Sequence, residues 1–218
     1  MVKPYEVDMV TTTLGIVKPL KVTKNWEGCI EHINLNPNEE YSLKFPWGYQ
    51  KTQLDELHFY PSGKINTILL SKRGQLDVAT AVGMFPVWNR LEFWPNGFLK
   101  NFDPAMPVKI PTPIGPIDVF GGHNVFPNGE NPVCLDDMGN ITKIYTSLRA
   151  IEILSPSKTL REYIPINFWP NQNNKLLCLD FTNNCLDINN HEVENLPLDS
   201  LICFLREFQC MDTTLSYE

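Results

Sequence analysis

LEFWPNGFLK, residues Leu91–Lys100, is the stretch from which the fold can be read. Apolar and polar residues alternate up to Pro95, a Pro-Asn-Gly turn follows, and a second extended segment begins after the turn. Alternation that leads into such a turn is typical of a β-hairpin. Similar stretches occur elsewhere in the chain, so the sequence predicts a series of hairpins.

The copies of this stretch align on a turn proline. The interval is 34 residues between Pro61 and Pro95 and 32 residues between Pro95 and Pro127, which indicates an internal repeat. The aligned prolines are Pro37, Pro61, Pro95, Pro127 and Pro170. A second kind of hairpin, with a Thr-x-x-Gly turn, is predicted at residues 12–15, 80–83 and 112–115.

One face of the predicted strands is apolar. Successive strand residues point to opposite faces, so the positions two and four before each proline share a face. His123 is the one polar residue in this set. The apolar members are Ile33, Leu35, Leu57, Phe59, Leu91, Phe93, Val125, Ile166 and Phe168. We expect this face to be buried.

The opposite face combines aromatic rings with hydrogen-bonding side chains. Four of the five copies have an aromatic residue directly before the proline, and three residues before it stand His58, Glu92 or an asparagine. An apolar surface with a few converging polar groups suits a small-molecule site. The predicted ligand is a small aromatic molecule, and its predicted binding residues are Tyr60, Trp94, Phe126, Trp169, Asn124 and Asn167.

The same face contains acid–base candidates. His58 and Glu92 occupy the same repeat position in successive units, and a His/Glu pair can act as a general base with an orienting carboxylate. Arg90 is a candidate for stabilising an oxyanion. His123 follows two glycines, where a bulge would turn it to the polar face. Two structural explanations compete with this one: a solvated cross-strand salt bridge for His58 and Glu92, and core packing for the aromatic row.

Length and periodicity predict one domain, residues 1–218. We expect N-terminal strands in residues 1–29, hairpin repeats in 30–190 and a C-terminal helical cap in 191–218. The cap is predicted because apolar residues follow Pro197 at helical spacing, at Leu198, Leu201, Ile202, Leu205 and Phe208. Residues 45–49, FPWGY, are predicted to form a packed aromatic loop, with a lid over the aromatic face as the alternative.

Composition limits the classes of partner. A net charge of −7 without a basic stripe argues against nucleic acids and anionic membranes. No apolar run reaches transmembrane length and the N-terminus has no apolar signal core, so a cytoplasmic location is expected. The six cysteines lack zinc spacing and are expected to be reduced and mostly buried. The sequence indicates neither a metal nor a cofactor, and it leaves homo-oligomerisation open.

Phe59–Ile65, FYPSGKI, and the copy at residues 93–99 resemble the MORN repeat in its divergent bacterial form. The resemblance implies antiparallel hairpins stacked into an elongated, curved single sheet, and scaffolding and lipid contact as the usual roles. A narrower resemblance, to small bacterial MORN-like furanolide synthases, implies natural-product biosynthesis. Such enzymes join two aryl-bearing precursors by carbon–carbon bond formation into a γ-butyrolactone.

Two functions follow from the polar and aromatic face. The first is an enzyme in which His58, oriented by Glu92, removes a proton next to a carbonyl, and the resulting enolate attacks an aldehyde or ketone. Its predicted catalytic residues are His58, Glu92, His123 and Arg90. The alternative is a non-catalytic MORN-like scaffold that binds a peptide or protein along the same face.

Overall fold

The computed structural model describes residues 8–120, 131–146, 149–154, 160–163, 177–188, 196–198 and 202–207. These ranges contain twenty β-strands and no α-helix, and the paired strands are antiparallel neighbours. The prediction of an all-β fold of stacked antiparallel hairpins is therefore confirmed. The chain divides into two compact units, each described by itself below. The prediction of a single domain stays a prediction.

The first unit comprises residues up to Met106 together with Val133–Asn140. Its strands are β1 (Val10–Thr12), β2 (Gly15–Val17), β3 (Lys21–Lys24), β4 (Ile30–Asn34), β5 (Glu40–Phe45), β6 (Gly48–Phe59), β7 (Ile65–Leu70), β8 (Leu76–Thr80), β9 (Gly83–Phe93), β10 (Leu99–Pro104) and β13 (Val133–Leu135). Within the unit the main sheet runs in the open order β13-β10-β9-β7-β6-β4-β3. β5 pairs with β6, β8 pairs with β9, and β1 pairs with β2.

An apolar row crosses this sheet. Its members are cross-strand partners, namely Val22, Ile33, Leu57, Ile68, Leu91, Phe102 and Val133. All of them except Val22 are 0% exposed, so burial of the predicted apolar face is confirmed here. β7 and β10, the strands that follow the turns at Pro61 and Pro95, each contain one extra residue in a β-bulge, Asn66 in β7 and Lys100 in β10. The apolar side chains therefore stay on one face.

Four equivalent turns follow strands of this unit. In each, the first residue's N–H donates to the fifth residue's carbonyl at 2.8–2.9 Å, and the fourth residue's N–H donates back to the first at 2.8–3.1 Å. The fourth residue is a glycine with φ between +78° and +94°, a conformation that disfavours other residues. The turns are Asn25–Cys29, Tyr60–Lys64, Trp94–Phe98 and Asp136–Asn140.

The glycine of the turn, and not the proline, therefore defines the repeat. The alignment on prolines was wrong at its first copy, Pro37. Pro37 lies after β4, at the opposite end of that strand from the Asn25–Cys29 turn. The first equivalent turn is Asn25–Cys29, which has no proline. Asp136–Asn140 is a further equivalent turn, also without proline. Pro127 and Pro170 lie outside the described residues.

Asp136→Asn should remove an acid-sensitive part of the stability. Burial alone would raise the pKa of Asp136, but hydrogen bonds from Asn140, Met138 and Gly139 outweigh burial and lower this pKa below its usual 3.8. The carboxylate therefore stabilises the fold above pH 3.8, and this contribution is lost as the pH falls through the lower folded-state pKa. Urea midpoints of both proteins, measured from about pH 6 down to about pH 2, should converge at the acid end.

Asn25 shows that an amide supports the same turn. Its Oδ1 accepts from the N–H groups of Glu27 and Cys29 at 3.0 and 2.9 Å, as Asp136 Oδ1 accepts from Met138 and Asn140 at 2.9 and 2.8 Å. Asp136→Asn should therefore keep the turn. Parallel loss of stability in the two proteins on acidification would contradict the assignment to Asp136.

The second kind of hairpin forms as predicted. Thr12 and Thr80 donate their hydroxyls to the carbonyls of Gly15 and Gly83 at 2.9 and 3.0 Å. The predicted aromatic loop at residues 45–49 is instead a hairpin with a turn of the same length but without the threonine, in which Phe45 pairs with Gly48 across two turn residues. Trp47 stacks on Phe45 at 4.9 Å and donates its indole N–H to the Asp77 carbonyl at 3.0 Å, which fixes the aromatic tip.

Gly74→Ala is expected to destabilise the first unit by about 1–3 kcal/mol, because the new methyl group has no room. A Cβ at Gly74 would lie 2.2 Å from the backbone oxygen of Gln53, which accepts the Ser71 N–H at 3.1 Å. Gly63→Asn is the control: φ is +78°, which asparagine tolerates, and no atom lies within 4 Å of the added Cβ. Chemical denaturation should separate the two variants, and equal midpoints would rule out the clash.

The second unit contains the remaining strands. They are β11 (Val108–Thr112), β12 (Gly115–Val119), β14 (Ile141–Thr146), β15 (Arg149–Leu154), β16 (Leu160–Tyr163), β17 (Leu177–Asp180), β18 (Cys185–Ile188), β19 (Leu196–Pro197) and β20 (Ile202–Glu207). β11 and β12 form the predicted Thr112 hairpin, where Thr112 donates to the Gly115 carbonyl at 2.6 Å. β14, β17, β18 and β19 are successive neighbours, and β15 lies between β16 and β20.

The predicted C-terminal helical cap is wrong where the structure describes it. Ile202–Glu207 is the strand β20, and it pairs along its whole length with β15. The apolar run that contains these residues fits a buried strand as well as a helical stripe, and periodicity alone does not separate the two. An isolated short helix is marginal in water, whereas a neighbouring strand supplies backbone partners for every second residue.

Candidate functional site

A polar row lies on the opposite face of the first unit's sheet. Thr67 is the cross-strand partner of both His58 and Glu92, and His58 is also the partner of His32. The complete polar row, in strand order, is Thr23, His32, His58, Thr67, Glu92, Asn101 and Cys134. Directly opposed residues share a face, so the sheet gathers these seven side chains on one side.

His58 is oriented by a carboxylate of its own strand. Its Nε2 lies 2.8 Å from Glu56 Oε2, and the two side chains are 40% and 32% exposed. Residues i and i+2 of a strand lie on the same face, which is why these two meet. The pair therefore combines a fixed imidazole with access to solvent, as a general base requires.

Glu56 is itself held in place. Asn34, its cross-strand partner on β4, donates its side-chain N–H to Glu56 Oε1 at 2.6 Å. Asp55 is the extra residue of a bulge in β6 beside it. Burial and then the neighbouring Glu56 charge raise the pKa of Asp55, while Lys72 opposes them. Glu56 is thus held by Asn34 and lies close enough to Asp55 for its charge to act on that carboxyl.

A second histidine lies beside this pair. The His32 and His58 rings are 5.6 Å apart between centroids and tilted by 35°. His32 Nε2 lies 3.1 Å from the hydroxyl of Thr23 on β3. The polar face therefore presents two imidazoles with different partners, a carboxylate for His58 and a hydroxyl for His32.

Glu92 belongs to a separate cluster. Its side chain is 12% exposed and pairs with Arg90, with Lys100 at 3.4 Å, and with the amide of Asn101 at 2.9 Å. The predicted contact between His58 and Glu92 is absent, because Thr67 lies between them on β7. Two strand spacings separate the two residues by roughly 10 Å, beyond hydrogen-bond reach. Glu56, which the repeat alignment did not select, takes the orienting role.

The predicted aromatic residues contact the neighbouring repeat. Tyr60 donates its hydroxyl to the Phe93 carbonyl at 2.7 Å, and Trp94 donates its indole N–H to the Leu135 carbonyl at 3.1 Å. The two bonds are equivalent, since each runs from the first residue of one turn to the residue before the next turn. Both rings are half-buried. The Tyr60 hydroxyl and the Trp94 indole N–H therefore link neighbouring repeats, while the faces of the two rings remain free to take part in other contacts.

Lys100 places the Trp94 ring on the polar face. Its ammonium lies 5.2 Å from the Trp94 ring centroid and 3.4 Å from Glu92 Oε2. A single ammonium can contact both groups only if they are on the same side of the sheet. This agrees with the prediction that Trp94 and Glu92 lie on the same face.

Five predicted site residues lie outside the described ranges. They are His123, Asn124, Phe126, Asn167 and Trp169, so their roles stay predictions. The two missed residues that now matter, Glu56 and His32, do have a signal in the sequence. Glu56 precedes His58 by two positions, which places both on one face, but His32 is recognised only through the register of β4 against β6.

Across the described ranges, no group of three or more His, Cys, Asp and Glu side chains is placed to hold a metal ion. In the same part of the chain, no helix has the length and apolar character needed to cross a membrane. No family model, curated protein or solved structure matches the chain. The resemblance to MORN repeats and to furanolide synthases therefore stays a prediction.

Proposed function

We propose that the polar face of the first unit is the active site of an enzyme that removes a proton next to the carbonyl of a small aromatic substrate. The observation that carries the proposal is the His58–Glu56 pair, with Nε2 to Oε2 at 2.8 Å on an accessible face. His58 is the general base. Glu56 replaces Glu92 as its orienting carboxylate.

The chemistry follows from which ring nitrogen is engaged. When Nε2–H donates to Glu56, the lone pair of His58 is on Nδ1. Nδ1 then takes the substrate proton, and the Glu56 carboxylate stabilises the imidazolium that forms. In a His–carboxylate pair, the carboxylate therefore has two functions: it fixes the tautomer of the imidazole, and it stabilises the imidazolium after proton transfer.

The substrate's aromatic part is assigned to the Trp94 side of the face. An indole whose N–H is already bonded can still offer its ring face to another ring. Arg90 is the candidate for stabilising the enolate oxygen, although its guanidinium also pairs with Glu92. The enolate would then attack a second carbonyl, in the furanolide-type carbon–carbon bond formation expected from the sequence.

One observation favours the alternative, a protein-binding scaffold. The equivalent turns expose apolar side chains: Trp26 is 91% exposed, Met138 68% and Phe98 55%. Exposed aromatic and methionine residues are common at protein interfaces. If the protein is such a scaffold, His32 and His58 are part of a solvated polar face and the protein catalyses no reaction.

Deuterium exchange separates the two functions. The full chain is incubated with benzylacetone in D₂O, and loss of the α-proton signal is followed by NMR against an equal concentration of free imidazole. Exchange faster than imidazole supports the enzyme. Exchange no faster than with imidazole contradicts the enzyme and leaves the scaffold, whether or not protein resonances on the polar face shift.

A further inference from the structure

We infer that His32 is the general acid that works with His58, so that the site also isomerises β,γ-unsaturated ketones. This inference rests on the proposed function, because it requires His58 to form the enolate first. It adds a second catalytic residue, a further activity and a class of substrate. The deciding feature is that two imidazoles share one sheet face.

Geometry brings both rings to one substrate. His32 and His58 are direct cross-strand partners, with ring centroids 5.6 Å apart. A planar ketone lying on this face meets both rings from the same side. A proton removed from the α carbon and a proton delivered to the γ carbon therefore use the same face of the substrate, which makes the shift suprafacial.

The partners of the two rings assign the roles. Nε2 of His58 lies against the Glu56 carboxylate, which stabilises the imidazolium that forms when this ring takes a substrate proton. Nε2 of His32 lies against the neutral hydroxyl of Thr23 and has no carboxylate partner of this kind. The carboxylate-held ring is therefore assigned as the base and the hydroxyl-held ring as the acid.

The step balances without another reactant. The step starts from the protonation state in which His58 is neutral and His32 has taken a proton from solvent. His58 Nδ1 takes the α proton, the C–H electron pair enters the dienolate, and the imidazolium of His32 donates its N–H proton to the γ carbon. The double bond moves into conjugation with the carbonyl. Proton transfer from His58 to His32 through solvent restores the starting state. In carbon–carbon bond formation the same His32 proton would neutralise the product alkoxide.

The test uses a benzyl-substituted β,γ-cyclohexenone deuterated at the α carbon, in H₂O, with wild type, His58→Gln and His32→Gln. Loss of α deuterium and appearance of conjugated enone are both followed by NMR. Wild type should give enone with hydrogen at the γ carbon. His32→Gln should lower the ratio of isomerisation to α exchange by about 100-fold, since a general acid contributes about that much or more.

The outcomes separate this inference from the proposed function. Wild type that exchanges α deuterium but forms no enone overturns the role of His32 and leaves His58 as a base. Deuterium carried to the γ carbon, or an unchanged ratio in His32→Gln, also overturns it, because one base then performs both transfers. Absence of α exchange in wild type overturns both proposals. Thr23→Val, which retains His32, should give a ratio between those of wild type and His32→Gln, and a ratio equal to wild type counts against the assigned anchor.

Discussion

His58→Gln is expected to lower the rate of α-proton exchange by about 10²–10⁴-fold, which corresponds to about 3–5 kcal/mol of barrier. Glutamine can still donate to Glu56, so the local hydrogen bond survives, but no nitrogen remains that accepts a proton. His58 is 40% exposed, so its replacement should not disturb the apolar row. Exchange of benzylacetone in D₂O, with circular dichroism to verify folding, measures the effect.

Two carboxylate variants locate the partner of His58. Glu56→Gln should lower the exchange rate clearly, because the imidazolium loses the charge 2.8 Å away. Glu92→Gln should lower it less, since Thr67 separates Glu92 from His58. A loss in Glu92→Gln as large as in His58→Gln would restore the pairing expected from the sequence and contradict the one in the structure.

Ile68→Ala is expected to destabilise the protein by about 2–5 kcal/mol. Ile68 is 0% exposed and occupies the centre of the apolar row, between Leu57 and Leu91. Truncation removes buried methyl groups and leaves a cavity that neighbouring strands, held by backbone hydrogen bonds, cannot close. The midpoint of urea unfolding should fall, while the dependence of the unfolding free energy on urea stays the same.

Leu69→Ala is the matched control. Leu69 is the next residue of the same strand, is half-buried, and lies on the polar face between Glu56 and Arg90. Its truncation should cost less than about 1.5 kcal/mol, because its methyl groups are already in contact with solvent. Equal effects of the two substitutions would mean that the sheet's faces are not distinguished as described.

The face of the sheet on which each strand residue lies could be predicted from the sequence, whereas contacts between strands could not. The alternation around Leu57 and Leu91 placed His58 and Glu92 on one face, as observed. It did not reveal that β7 separates them, because the alternation of side chains along a strand does not show which strands are neighbours. Glu56 was within reach of the same reasoning, since it shares the face and strand of His58.

The repeat shows the same division. Proline was the visible mark of the turns, but the turn requires a glycine at positive φ as its fourth residue, a position that Gly28 and Gly139 fill without proline nearby. Aligning on backbone conformation recovers four equivalent turns. The side chain at the first turn position then varies: Tyr60 and Trp94 bond to the following repeat, while Asn25 and Asp136 bond within their own turn.

By itself the sequence determined the all-β class, the two kinds of hairpin turn and the separation of an apolar from a polar face. These follow from local rules: side chains alternate along a strand, and few residues adopt positive φ. Only the tertiary structure decided that His58 meets His32, and that Ile202–Glu207 forms a strand against β15. Strand register and partner choice depend on backbone hydrogen bonds between segments far apart in the chain, which no local pattern encodes.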